Sequence, residues 1–167
     1  MKILIFFLFF FFSYYSCCPY PFYNQCDPQW GSLKLSWFKT MCQTGSLFTS
    51  VSSMVKGYNV TLMNSEESNP KTLIDWMSAN YFSTSFYDWK SVMSLCFQYH
   101  GYQEKDQLKK SIESGSVALL YFSGQDRWML CHEYDETGFI VHDPTVGALV
   151  HANFQDIAYG GVYKYAK

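Results

Sequence analysis

The spacing of apolar residues changes character along this chain. Ile3 to Phe12 is an unbroken apolar run behind a single early Lys2. Further on, Leu47, Phe48, Val51, Met54 and Val55 recur at helical spacing, which predicts a helix over 45–56. Gly57 follows where a left-handed cap favours glycine. Asn69-Pro70 opens a second helix, because proline in the first turn forfeits no hydrogen bond. Leu73, Ile74, Trp76 and Met77 form its apolar face over 70–80. A third helix is expected over 86–98, on Trp89, Val92, Met93 and Phe97. A fourth is expected over 105–114, on Leu108 and Ile112, stopping at Gly115.

After Gly115 the helical period is lost. Val117 to Phe122 is a short continuous apolar run, and 128–134 and 139–141 pattern as strands joined by a hairpin turn from Asp135 to Gly138. Two more strands are expected at 148–151 and 161–165. The stretch 23–34, with Asn24, Asp27-Pro28 and Gly31, is loop. Helices followed by antiparallel strands predict an α+β domain.

Composition narrows the organisation. With 167 residues, 49% of them hydrophobic and 16% charged, the chain suits one core and is short for two. Its net charge of −2 and scattered Lys and Arg give no electrostatic footprint for nucleic acid or an anionic membrane. The first apolar run is too short to span a bilayer comfortably and no stop-transfer pattern follows. It therefore fits a secretory signal peptide removed near Ser16 to Cys18. The expected organisation is a signal segment at 1–17 and a single domain at 18–167, secreted and free of membrane after cleavage.

Secretion changes the meaning of the cysteines. In an oxidising compartment Cys26, Cys42, Cys96 and Cys131, with Cys18 if retained, are expected in bridges, and four cysteines leave three pairings open. No CxxC pair occurs, and His100, His132, His142 and His151 form no HxxxH pair, so neither metal nor cofactor is expected. Asn59-Val60-Thr61 is a sequon for N-glycosylation.

Five stretches in order carry a family resemblance. They are Tyr23-Asn24-Gln25 with Asp27-Pro28-Gln29-Trp30-Gly31; Gly45-Ser46-Leu47-Phe48-Thr49-Ser50-Val51-Ser52; Asn69-Pro70 through Leu73 and Trp76-Met77; Trp128-Met129-Leu130 through Tyr134-Asp135; and Asp143-Pro144. Together they resemble the papain-like cysteine peptidases of the bacteriocin-leader-processing kind, cysteine peptidase family thirty-nine, over nearly the whole mature chain. The resemblance implies a papain-like α+β fold, in which the helix bearing the nucleophile packs on an antiparallel sheet bearing the base.

Such an enzyme needs a thiolate, a histidine base, a group orienting that histidine, and donors for an oxyanion. By the resemblance, Ser46 stands at the position of the nucleophilic cysteine and Arg127 at that of the histidine. Asp143 matches the orienting aspartate, and Gln25 the oxyanion donor. Serine attacks when a base is bonded to it, but a guanidinium stays protonated and accepts no proton. Arg127 is therefore expected to pair with Asp143. The Tyr81-Phe82 pair replaces the Gly-Gly that the family has at the exit of its second helix, and its rings would either pack beneath a loop or fill part of the groove.

The alternative is an active peptidase using Cys42, His132 and Asp143. Cys42 falls in the loop before the helix, outside the positive helix end that would lower its pKa. His132 lies five residues from Arg127, an odd separation that puts the two on opposite faces of a strand unless a bulge intervenes. His142 is expected as a surface histidine at a strand end. Trp30, Trp76, Trp89 and Trp128 are expected as core anchors. The favoured expectation is a secreted pseudopeptidase that binds a peptide, a glycan or an extracellular protein or takes part in an extracellular assembly, with no catalytic set intact.

Overall fold

The computed structural model describes residues 19–62, 66–80 and 91–166. The expected signal segment, Tyr81-Phe82, Trp89 and the start of the expected third helix lie outside the described residues. The elements are α1 (Met41–Thr44), α2 (Ser46–Gly57), α3 (Pro70–Ala79), β1 (Phe97–Gln103), α4 (Lys105–Glu113), β2 (Val117–Phe122), β3 (Arg127–Tyr134), β4 (Gly138–Asp143), β5 (Ala148–Asn153) and β6 (Ile157–Tyr165). Six antiparallel strands form one sheet in the order β1-β6-β2-β3-β4-β5, so the last strand is inserted between the first two. The chain is α+β, as its patterning predicts.

Two apolar layers cover the sheet. On one face α2 and α3 bury Val51, Met54, Val55, Leu73 and Met77 against Val117, Leu119 and Leu130. On the other, α4 brings Leu108 and Ile112 onto Ala118, Leu120, Met129 and Val141. β2 alternates between the layers, so burial on both faces explains why its sequence is continuously apolar. α3 starts as its sequence predicts: the Asn69 side chain accepts from Thr72 N at 3.0 Å, and Thr72 Oγ1 accepts from Asn69 N at 2.9 Å.

Two local expectations fail. The third helix does not form over its described part: Ser91–Leu95 is a 3-10 turn, and Phe97–Gln103 is strand β1, paired with β6 from Phe97↔Tyr165 onward. Cys96, with φ at 65°, breaks the chain between them, and Phe97 and Tyr99 then alternate with exposed Gln98 and His100. Strand pairing with a distant segment overrides the local helical spacing. Gly57, in turn, is not a left-handed cap. It is the last residue of α2, and the left-handed residue is Asn59, with φ at 55°. Glycine is needed at 57 because the Tyr20 ring occupies the space a Cβ would take.

Candidate functional site

A single helical turn and a disulfide position the start of α2. α1 is a single helical turn ending at Gly45, where a Cβ would collide with the carbonyl of Met41. Cys26 and Cys42 are joined by a disulfide, which pins the loop of 23–34 to α1. Cys42 thus lies in α1 rather than in loop, and its sulfur is bonded instead of free as a thiolate. The other two described cysteines, expected in bridges, are free thiols: Cys96 is exposed and Cys131 buried. Burial raises the Cys131 pKa strongly, because the interior disfavours the thiolate. Trp30 seals this corner, with Nε1 donating to Asn24 O at 2.8 Å.

Ser46, Arg127, Asp143 and Gln25 gather at one end of the sheet. Ser46 Oγ accepts from Trp128 N at 3.1 Å, and Ser50 Oγ, one helical turn on, donates to Trp128 O at 3.3 Å. The start of α2 is thereby fastened to the start of β3. Arg127 Nη1 lies 2.8 Å from Asp143 Oδ2 and donates to Thr145 Oγ1 at 2.6 Å. Asp143 Oδ1 accepts from Thr145 N at 2.8 Å and from Thr145 Oγ1 at 2.6 Å. Gln25 donates its backbone N to Pro144 O at 2.8 Å and its Nε2 to Cys42 O at 2.7 Å.

This arrangement holds itself together and leaves little over for a substrate. Ser46, Gln25 and Asp143 are all buried. The Gln25 amide that would donate to an oxyanion is committed to a carbonyl. Both carboxylate oxygens of Asp143 have donors, and the charged group paired with it is a guanidinium that cannot take a proton from a serine. Phe122 is opposite Arg127 across the ladder and belongs to the α4 layer, so the guanidinium emerges on the side of the sheet away from α2. Ser46 Oγ therefore bonds the strand backbone and not the arginine.

His132 stands elsewhere. The register of β3 on β4 shifts between Cys131 and Glu133, so His132 is the extra residue of a bulge. Its ring packs on Tyr20, which sits against Gly57 at the far end of α2. α2 has 12 residues, and Ser46 and Gly57 are about 16 Å apart along its axis. Cys42 precedes the start of α2 and His132 lies beside its end, so the structure brings no Cys42–His132 dyad together.

The histidines form their own cluster. His132 Nε2 and His142 Nε2 are 3.3 Å apart. Phe22 stacks on His142 with ring centroids 4.8 Å apart, and Tyr20 meets the same ring edge-on at 5.8 Å. His142, expected at the surface, is only 4% exposed, because residues 20–22 lie over it. Burial, then the neighbouring His132, push its pKa down to about 4, and burial lowers that of His132. Sequence spacing gave no hint of this pair, since it arises from a cross-strand neighbour and a bulge. Among the described residues no three His, Cys, Asp or Glu side chains are placed to hold a metal ion.

Of the tryptophans expected in the core, Trp30 and Trp76 are buried and Trp128 is partly buried. Asn59 is exposed in its left-handed turn, a geometry that leaves its amide reachable. Trp37 and Phe38, in contrast, stand almost wholly in solvent. They fit no apolar period, and the only sequence signal for them is their place between Ser36 and Lys39 in a turn. The chain matches no protein-family model, no curated protein and no solved structure at a significant level.

Proposed function

We propose that this chain is a secreted papain-like domain that has lost peptidase chemistry and acts by binding a peptide, a glycan or another extracellular protein. The observation that carries the reading is the Arg127–Asp143 pair, 2.8 Å apart, at the positions where the family resemblance puts a base and its orienting carboxylate. An arginine there keeps the electrostatic tie to the aspartate, and as a guanidinium emerging on the face of the sheet away from α2 it is no general base for Ser46. The packing of α2 onto the start of β3 through Ser46 and Ser50 supports a papain-like arrangement of helix and sheet. The bonded state of Cys42 argues against the thiol alternative.

Peptide-cleavage profiling of the purified chain against a diverse peptide mixture tests the reading. Cleavage no greater than that of Ser46→Ala is expected. Cleavage that disappears in Ser46→Ala, or rapid labelling of unreduced Cys42 by a peptidyl thiol probe, would overturn it.

A further inference from the structure

Trp37 and Phe38 are 92% and 93% exposed, whereas Trp30 and Trp76 are 5% and 7% exposed. Adjacent aromatic rings this bare are costly to leave in water, and the other exposed large apolar residues, from Leu149 at 43% to Val146 at 57%, are far better covered. They stand at the tip of a braced turn. Leu35 N and Ser36 N donate to Lys39 O at 2.9 and 3.3 Å, Met41 N to Leu33 O at 2.9 Å, and Cys42 N to Gly31 O at 3.0 Å. Lys34 and Thr40 form an antiparallel bridge at the base. Leu35 and Met41 are buried beneath it, and the Cys26–Cys42 disulfide ties it to the body. The tip is held out by a stalk rather than collapsed onto the domain.

The charges next to the tip along the chain have one sign. Lys34 and Lys39 flank it, and no acidic residue occurs between Asp27 and Glu66. The net charge of −2 for the whole chain averages this local excess away. Aromatic rings flanked by lysines match a bilayer interface, where rings settle at the headgroup boundary and lysine stems lie along apolar surface with their ammonium groups among anionic headgroups. A bilayer also needs no pocket shaped to two adjoining rings, as a protein partner would.

We propose that the turn over 34–40 is a membrane-surface anchor, with Trp37 and Phe38 entering the interface of an anionic lipid bilayer and Lys34 and Lys39 contacting its headgroups. Insertion of two side chains gives weak, reversible and salt-sensitive attachment. It adds a location to the domain, independent of whether the old peptidase site is lapsed or active.

Cosedimentation of the purified chain with vesicles of phosphatidylcholine containing phosphatidylserine tests this. Binding is expected that weakens about tenfold or more in Trp37→Ala/Phe38→Ala, with circular dichroism unchanged because both side chains are exposed. Lys34→Gln/Lys39→Gln is expected to weaken binding and flatten its salt dependence. No partition to these vesicles, equal partition to pure phosphatidylcholine vesicles, or partition indifferent to Trp37 and Phe38 overturns the proposal. So does a protein partner lost with Trp37→Ala/Phe38→Ala when vesicles are not bound.

Discussion

Arg127 Nη1 lies 2.8 Å from Asp143 Oδ2, and Thr145 Oγ1 links the two by accepting from the guanidinium and donating to the other carboxylate oxygen. Asp143 is 3% exposed and the arginine side chain 22%, so the carboxylate depends on this partner far more than the guanidinium does. A buried pair of this kind is a weak source of net stability but a costly one to break on one side. Arg127→Met is expected to lower unfolding stability by roughly 3 kcal/mol, because it strands a buried charge. Arg127→Met/Asp143→Leu is expected to recover most of that loss in urea unfolding, and a double variant as weak as the single would refute the account.

The cysteines should separate into three classes on alkylation. Cys96 is expected to label in the native chain, Cys42 with Cys26 only after reduction, and Cys131 only on unfolding. Peptide mapping reads all three. The bridge spans a sequence separation of 16. Cys26→Ser/Cys42→Ser is therefore expected to cost about 3 kcal/mol, in line with the entropy of closing such a loop. Native labelling of Cys42 would contradict the bridge.

Acid should loosen the packing of Tyr20 and Phe22 on β3 and β4. The pKa of His142 is depressed from 6.5 to about 4 in the folded chain, so the unfolded chain binds the extra proton at higher pH. Stability contributed by the neutral ring is complete above about 6.5, falls as pH drops, and is lost by about 4. His132 is shifted the same way, and charging either ring opposes charging the other. Together they are expected to remove roughly 2 kcal/mol or more across this window. Thermal unfolding against pH measures the slope, and His142→Phe should flatten it. An unchanged slope in that variant would move the effect to other groups.

Gly57→Ala should be harmful despite the better helix propensity of alanine. Its Cβ would enter the Tyr20 ring, which would have to leave its contacts with His132 and Tyr58. A loss of about 1–3 kcal/mol is expected. Tyr20→Ala/Gly57→Ala should show coupling between the two sites, and simple additivity would argue against the contact.

Much of the fold was readable because periodicity reports burial directly. The stripe of α2, the Asn69-Pro70 start of α3 and the doubly buried run of β2 each follow from which faces are covered. β1 was misread because Phe97 sits at helical spacing from residues before it. Its true partner, Tyr165, is 68 positions away, and no local window contains it. The Arg127–Asp143 pair was legible for the opposite reason: a fixed charge and an acid placed by a motif leave few other ways to satisfy a buried carboxylate.

The sequence by itself determined the class of the domain, its helical faces and the absence of a proton acceptor at position 127, since these depend on residue type and spacing. Only the tertiary structure decided that Cys26 rather than Cys96 bridges Cys42, that His132 and His142 meet between β3 and β4, and that Trp37 and Phe38 point into solvent. Each of these rests on which distant segments meet across a sheet or pack against a loop. That is set by burial of the whole chain at once, and no single stretch of residues encodes it.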